Sequence, residues 1–327
     1  LSLHDALPIS ISPLQSHARG LLPFPMNREW MDYMLSYGLR KKNGIYQIST
    51  AEDLIAFCKL VNENGEVNAK AILLNDIDMK DYNEEFQPIG TSLKPFAGNF
   101  DGKGQTILNL HISGGEAVGF FGHIGNCTLT NIVFDATCKV EGENYVGMLA
   151  GLAHDDAATI TCIENNGTVT ATGNTSGALV GSGNEFAVLD VNSCCNTGNV
   201  TAPFNAAALI GPSAGKIIVS NSYNIGTVIG ATEGKEFAFA TKGLSVENCW
   251  DYISSQTNNM LSEQVEDGYL CYQLNYNDST GSNIWRQNLD NQRVHDSRPV
   301  LKRTSGSVYE GPQGYTNYNA DAARDRY

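Results

Sequence analysis

A chain of 327 residues with 42% hydrophobic residues can bury a sizeable core, and 33 glycines beside only 17% charged residues point to many tight turns, as in many-stranded β proteins. The net charge of −14 and pI near 4.8 argue against nucleic acid or an anionic membrane surface as partner, and no stretch approaches the ~18 consecutive apolar residues of a transmembrane helix. Eight cysteines without a CxxC pair argue against a zinc ribbon and are too sparse for a disulfide-stapled miniprotein, so most are expected to be small buried thiols.

The first nine residues, LSLHDALPI, are the translation of CTT TCC CTA CAC GAC GCT CTT CCG ATC. That string resembles a widely used sequencing adapter, so 1–9 is set aside from fold reasoning, with the expectation that the native N-terminus and any signal peptide are lost. Residues 10–43 carry no assignable pattern. STAEDLIAFCKLVNENG, from Ser49, reads as a cap helix near 50–63. Ser49 and Glu52 form the expected capping box, Leu54, Phe57, Cys58 and Val61 the apolar stripe, and Gly65 the stop. First coils are expected around Ala71–Ile77 and Thr106–Ile112.

Beyond residue 117 the chain repeats itself. LTNIVFDATC, ITCIENNGTV, VNSCCNTGNV, VSNSYNIGTV and VENCWDYISS start at Leu129, Ile160, Val191, Val219 and Val246, with a shared V-x-N-C-x-N-x-G-x-V frame. A second pattern runs in phase: VGFFG from Val118, VGMLAG from Val146, SGALVG from Ser176, AAALIG from Ala206 and EFAFAT from Glu236. Short β-branched runs punctuated by Asn and Gly every ~30 residues make one coil of a parallel β-helix, an all-β fold. Stacked coils turn equivalent positions into columns. The third column (Asn131, Cys162, Ser193, Asn221, Asn248) suits a left-handed corner, with Asn131, Asn221 and Asn248 as a structural ladder. The fourth (Ile132, Ile163, Cys194, Ser222, Cys249) suits the interior, and the fifth (Val133, Glu164, Cys195, Tyr223, Trp250) looks outward; without a bend at the asparagine, the third and fifth columns face the core in place of the fourth. The β-helix with its cap helix is placed at 44–260 and a small C-terminal α/β cap at 261–309. In that cap Leu261–Asn275 reads as a helix, and IWRQNL and RPVLKR as strands around Trp285. The tail 310–327 reads as flexible, or as a linker.

ISTAEDLIAFCKLVN, LLNDIDM, PIG, FAGNFDGKG, VGFFG and the repeated VGxLxG with NCxNxG resemble GLUG-repeat surface proteins of gut Bacteroidetes-type bacteria, over roughly residues 44 to 309. LCYQLN…IWRQ…RPVL…VY is similar to the segment that closes those solenoids. The resemblance implies a secreted or surface-anchored right-handed β-helix with adhesin-like or ligand-binding roles, and it brings no catalytic residues with it. Two departures stand out: AAALIG lacks the leading Val-Gly, and EFAFAT has lost the glycines, which puts the regularity of the last coils in doubt.

Candidate chemistry is sparse. Asp76 and Asp78 flank Ile77 and Asp101 falls about one coil away, so a calcium site is one reading and solvated corner residues the other. The histidines show no HExxH spacing, no GxSxG elbow occurs, and Cys194-Cys195 has no neighbouring base. Glu164, Tyr223 and Trp250 share the fifth column. They offer either an aromatic strip for sugar rings or packing beneath the C-terminal cap. The leading expectation is a non-catalytic, monomeric extracellular or cell-surface adhesin-like protein for glycan or protein ligands, without a required cofactor. A β-helix polysaccharide lyase or glycoside hydrolase, and a spacer of a larger surface protein, are the alternatives.

Overall fold

Coil after coil, the repeat keeps its register. Leu129, Ile160, Val191, Val219 and Val246 pair in parallel in that order. The column continues backwards through Phe100 and Ala71 to Tyr46, where the sequence no longer shows the repeat. The computed structural model describes residues 37–230, 236–252, 256–278, 284–289, 295–301, 307–311 and 314–317. The adapter-like 1–9 and most of the leader lie outside them. The chain is mostly strand, 47% against 10% helix, wound as a parallel β-solenoid of about seven turns.

Among the described residues the coils build three faces. The longest is a 15-stranded sheet that contains the repeat windows, the second a five-stranded sheet from His111–Ser113 to Val228–Ile229, and the third an eight-stranded sheet carrying the VGxLxG runs. Its last pairing, of Asn205–Ser213 with Glu236–Ala240, shifts register twice, where the glycines of the pattern are gone.

The corner between the two halves of each repeat window is a left-handed residue. Asn131, Cys162, Ser193, Asn221 and Asn248 have φ between 49° and 58°. Side chains that bond locally, such as Asn, tolerate this region best. The chain therefore bends there, and the fourth column points inward, with Ile132, Ile163, Cys194, Ser222 and Cys249 buried. The glycine of N-x-G has a separate cause. A Cβ on Gly198 would lie 1.8 Å from the Gly167 carbonyl oxygen, and one on Gly226 2.0 Å from that of Gly198. Backbones of adjacent coils touch at this corner, so no side chain fits.

Helix α1 (Ala51–Asn62) closes the N-terminal end. Its cap falls one residue later than the sequence suggests: the Thr50 hydroxyl accepts from Asp53 N, and Asp53 returns a carboxylate oxygen to Ser49 N. Leu54, Phe57, Cys58 and Val61 are buried against the first coil. Phe57 meets Tyr46, Phe96 and Phe100 edge-on, and this aromatic packing runs on through Phe120, Phe121 and Phe134. Arg40–Lys42 pairs antiparallel with Ile45–Ile48, laying a charged, exposed strand over the first edge.

At the other end the expected helix is two, α2 (Ser262–Glu266) and α3 (Tyr269–Tyr276), broken at Gly268 with φ 93°. The two expected strands after them meet in a single bridge, Arg286 with Val300. Of the tail, residues 310–311 and 314–317 are described, and these are tied down. Tyr309–Gly311 and Gly314–Thr316 form a hairpin, and the Asn317 side chain donates to the Gln287 and Ser307 carbonyls.

Candidate functional site

The fifth column forms as the sequence predicts: Val133, Glu164, Cys195, Tyr223 and Trp250 are consecutive rungs. Its exposure does not. Tyr223 is 0% and Trp250 6% exposed, and Glu164 and Cys195 are buried with them. They point away from the solenoid core into a second core made with Met260, Val265, Leu270, Cys271, Leu274, Trp285 and Val308 of the C-terminal cap. The expectation of an open aromatic strip is therefore corrected. Those rings are apolar surface on an outer face, and the apolar side chains of the cap cover them.

The cap is also held by polar contacts. Arg298 donates to a Glu164 carboxylate oxygen, to Asn166 Oδ1 (3.0 Å) and to the Tyr223 hydroxyl (3.2 Å), while that hydroxyl donates to the Pro299 carbonyl. Trp285 Nε1 donates to the Asn221 carbonyl at 2.9 Å. Burial, then the surrounding anions, sets the environment here: the Cys195 thiol and Tyr223 phenol are pushed well up, and Arg298 stays charged. Arg298 lies beyond the repeats, and no periodicity pointed to it.

The three carboxylates considered for calcium do not converge. Asp76 accepts from Thr106 N (2.7 Å), and Asp78 from Lys80 N and Asn109 Nδ2. Asp101 accepts from Lys103 N and Asn131 Nδ2 and pairs with Lys103 Nζ at 2.8 Å. Each is a corner acceptor tied to the next coil, and Asp78 and Asp101 also serve their own turns. Among the described residues no three His, Cys, Asp or Glu side chains gather into a site of the many-carboxylate kind that calcium takes. The calcium expectation is corrected accordingly.

Of the third-column asparagines, Asn248 donates to Asn221 Oδ1 (2.8 Å), while Asn131 turns to Asp101, because Cys162 and Ser193 interrupt the stack. A longer buried ladder runs in the sixth column. Asn165 donates to Asn196 and Asn196 to Asn224, both at 2.8 Å. Each also bonds the N–H and carbonyl of the glycine two residues on.

With the aromatic column covered, an open polar surface lies on the other half of the long sheet. Asn99, Thr128, Thr159 and Asp190 form one outward column there, and Asp101, Thr130, Thr161 and Asn192 the next. The flanking odd positions, Phe100, Leu129, Ile160 and Val191, point into the core. This alternation puts a flat hydroxyl, amide and carboxylate lattice on the surface, with rungs about 4.8 Å apart. The cap borders its end: Asn248 Nδ2 donates to the Leu274 carbonyl of α3 and Asn221 Nδ2 to Asp278. On α3, Tyr272 and Tyr276 stack at 5.3 Å, and Tyr276 is 71% exposed. Tyr272 also meets Tyr315, and Tyr315 meets Tyr269.

On the third face His123 Nδ1 and His154 Nε2 lie 2.7 Å apart, hydrogen-bonded across adjacent coils. Burial lowers both imidazoles, and the neighbouring ring takes His123 to about 4. The strand register pairs His123 with Leu152, so His154 stands two residues past that rung, an offset that the period of the sequence does not announce.

Comparison with known proteins adds fold more than activity. No family profile matches the chain. Halomucin of Haloquadratum walsbyi is 32% identical over 148 residues, and the match spans 42% of this chain but 2% of halomucin. A candidate immunoglobulin A1 protease of Bacteroides ovatus, solved at 1.30 Å, superimposes with a TM-score of 0.56 at 17% identity, over 81% of this chain and 96% of that one. This second likeness is one of fold.

Proposed function

We propose that this chain is a non-catalytic, extracellular or cell-surface binding protein of the GLUG-repeat type. It holds a polysaccharide on the outer face of its long sheet. The observation that carries the reading is the in-register pair of columns Asn99/Thr128/Thr159/Asp190 and Asp101/Thr130/Thr161/Asn192. A polymer of sugars repeats its hydroxyls along a line, and so does this lattice. Shallow polar contacts repeated over several rungs suit binding by sum rather than by one deep pocket. The exposed Tyr276 ring at the cap supplies an apolar face for a sugar ring where the lattice ends. The partial likeness to halomucin, a mucin by name, supports the extracellular setting.

The test is a glycan array with the full chain, followed by calorimetry on the best ligand and a reducing-end assay. Thr130→Val with Thr161→Val removes two hydroxyls at nearly constant shape, and a fall in affinity of about tenfold or more is expected, at about 1 kcal/mol per lost hydrogen bond. Trp250→Ala should lower stability and leave affinity in the remaining folded protein unchanged. Affinity unchanged in the threonine variant would remove the lattice as the site. New reducing ends would overturn the non-catalytic reading in favour of a β-helix carbohydrate-active enzyme.

A further inference from the structure

We propose that His123 and His154 form a two-nitrogen chelating site for one divalent transition-metal ion, with Cu²⁺ preferred. The two rings stand on successive coils of the third face, in the strand Phe121–Ile124 and just after the strand Ala150–Ala153. Those strands pair in parallel through Ala150–Phe121, Leu152–His123 and Ala153–Ile124, so His154 lies two residues beyond the rung of His123 and the rings meet on the diagonal. Both are half-buried.

The distances favour a metal. His123 Nδ1 and His154 Nε2 are 2.7 Å apart with ring centroids at 4.9 Å. A metal at about 2.0–2.1 Å from each nitrogen needs them about 2.9 Å apart for a right-angle geometry and about 3.3 Å for a tetrahedral one. An opening of a few tenths of an ångström and a turn of each ring about χ2 is enough. The proton now shared between the facing nitrogens moves to the donor ring's other nitrogen, so both facing lone pairs reach the metal without net proton loss. Asp155, beside His154 and held by Asn184 Nδ2 at 2.7 Å, places a negative charge next to the ion without joining it. Water completes the coordination. Two imidazoles with open equatorial positions follow the order in which Cu²⁺ exceeds Ni²⁺ and Zn²⁺.

The experiment uses the full chain with His4 and His17 changed to Asn. Cu²⁺ is titrated at neutral pH in a weakly coordinating buffer and followed by calorimetry and electron paramagnetic resonance. One ion per chain, with superhyperfine coupling to two nitrogens and weaker binding of Zn²⁺, is expected. His123→Asn or His154→Asn should each weaken Cu²⁺ binding tenfold or more and remove one nitrogen from the spectrum, while His111→Asn leaves both unchanged. Equal Cu²⁺ affinity in the His123 and His154 variants, or no Cu²⁺ bound at micromolar concentration, would overturn the site. Glycan binding is read separately on the long sheet, so neither result depends on the other.

Discussion

Replacing Arg298 by Ala is the sharpest probe of how the cap is held. The guanidinium is largely buried and ties Glu164 and Asn166 of one coil to Tyr223 two coils on. Its loss leaves the Glu164 carboxylate, itself almost fully buried, with only the Asn166 amide at 3.0 Å. Removing one partner of a buried ion pair costs about 3–5 kcal/mol, because the remaining charge stays desolvated. Replacing both partners by neutral groups of like size is far cheaper, so Glu164→Gln with Arg298→Met should recover most of the loss. Trp250 and Trp285 both sit in the cap core, which makes tryptophan fluorescence in a denaturant titration a direct report of undocking. Arg298→Ala should bring an early transition with a red shift at low denaturant, while the far-ultraviolet signal of the solenoid persists, since coils contact mainly their neighbours. A cost below about 1 kcal/mol for Arg298→Ala, or a double variant no more stable than the single one, would refute the reasoning.

Two further outcomes follow from the interior. Asn196→Ala takes the partner from the buried Gly198 N–H and removes one hydrogen bond each from Asn165 Nδ2 and Asn224 Oδ1, at about 1–3 kcal/mol for a buried group left unsatisfied and about 1 kcal/mol for each lost bond, so a loss of about 2 kcal/mol or more is expected in chemical denaturation. Burial raises the thiols of Cys138 to about 11 and of Cys127, Cys249 and Cys271 to about 12, and none of the eight cysteines is disulfide-bonded. These groups bind their protons more tightly folded than unfolded, so stability holds below the ordinary thiol value near 8.5 and declines above it; iodoacetamide at pH 8 should leave all four unmodified in mass spectrometry until denaturant is added.

Much of the solenoid was legible because a β-helix is local in sequence. Contacts recur one coil away, so a period near 30 residues names the partner of nearly every repeat position. Residue type suggested a left-handed third column and an interior fourth, and the positive φ of the third column fixed that phase. The cap helix was legible from its stripe, but its cap moved from Ser49 to Thr50, a boundary decided by hydrogen bonds rather than composition.

The site was less legible. Period places Glu164, Tyr223 and Trp250 on one outer column, and it cannot say what covers that column. Arg298 reaches Glu164 across 134 residues with no repeat to announce it. Asp76, Asp78 and Asp101 show the same division, since a carboxylate at a corner looks alike in sequence whether it holds calcium or its own backbone. The sequence by itself determined the coil, its corners and its core, because each is satisfied by neighbours one turn away. Only the tertiary structure decided which outer face stays open, because that depends on where the last, non-repeating segment docks to bury its own apolar surface.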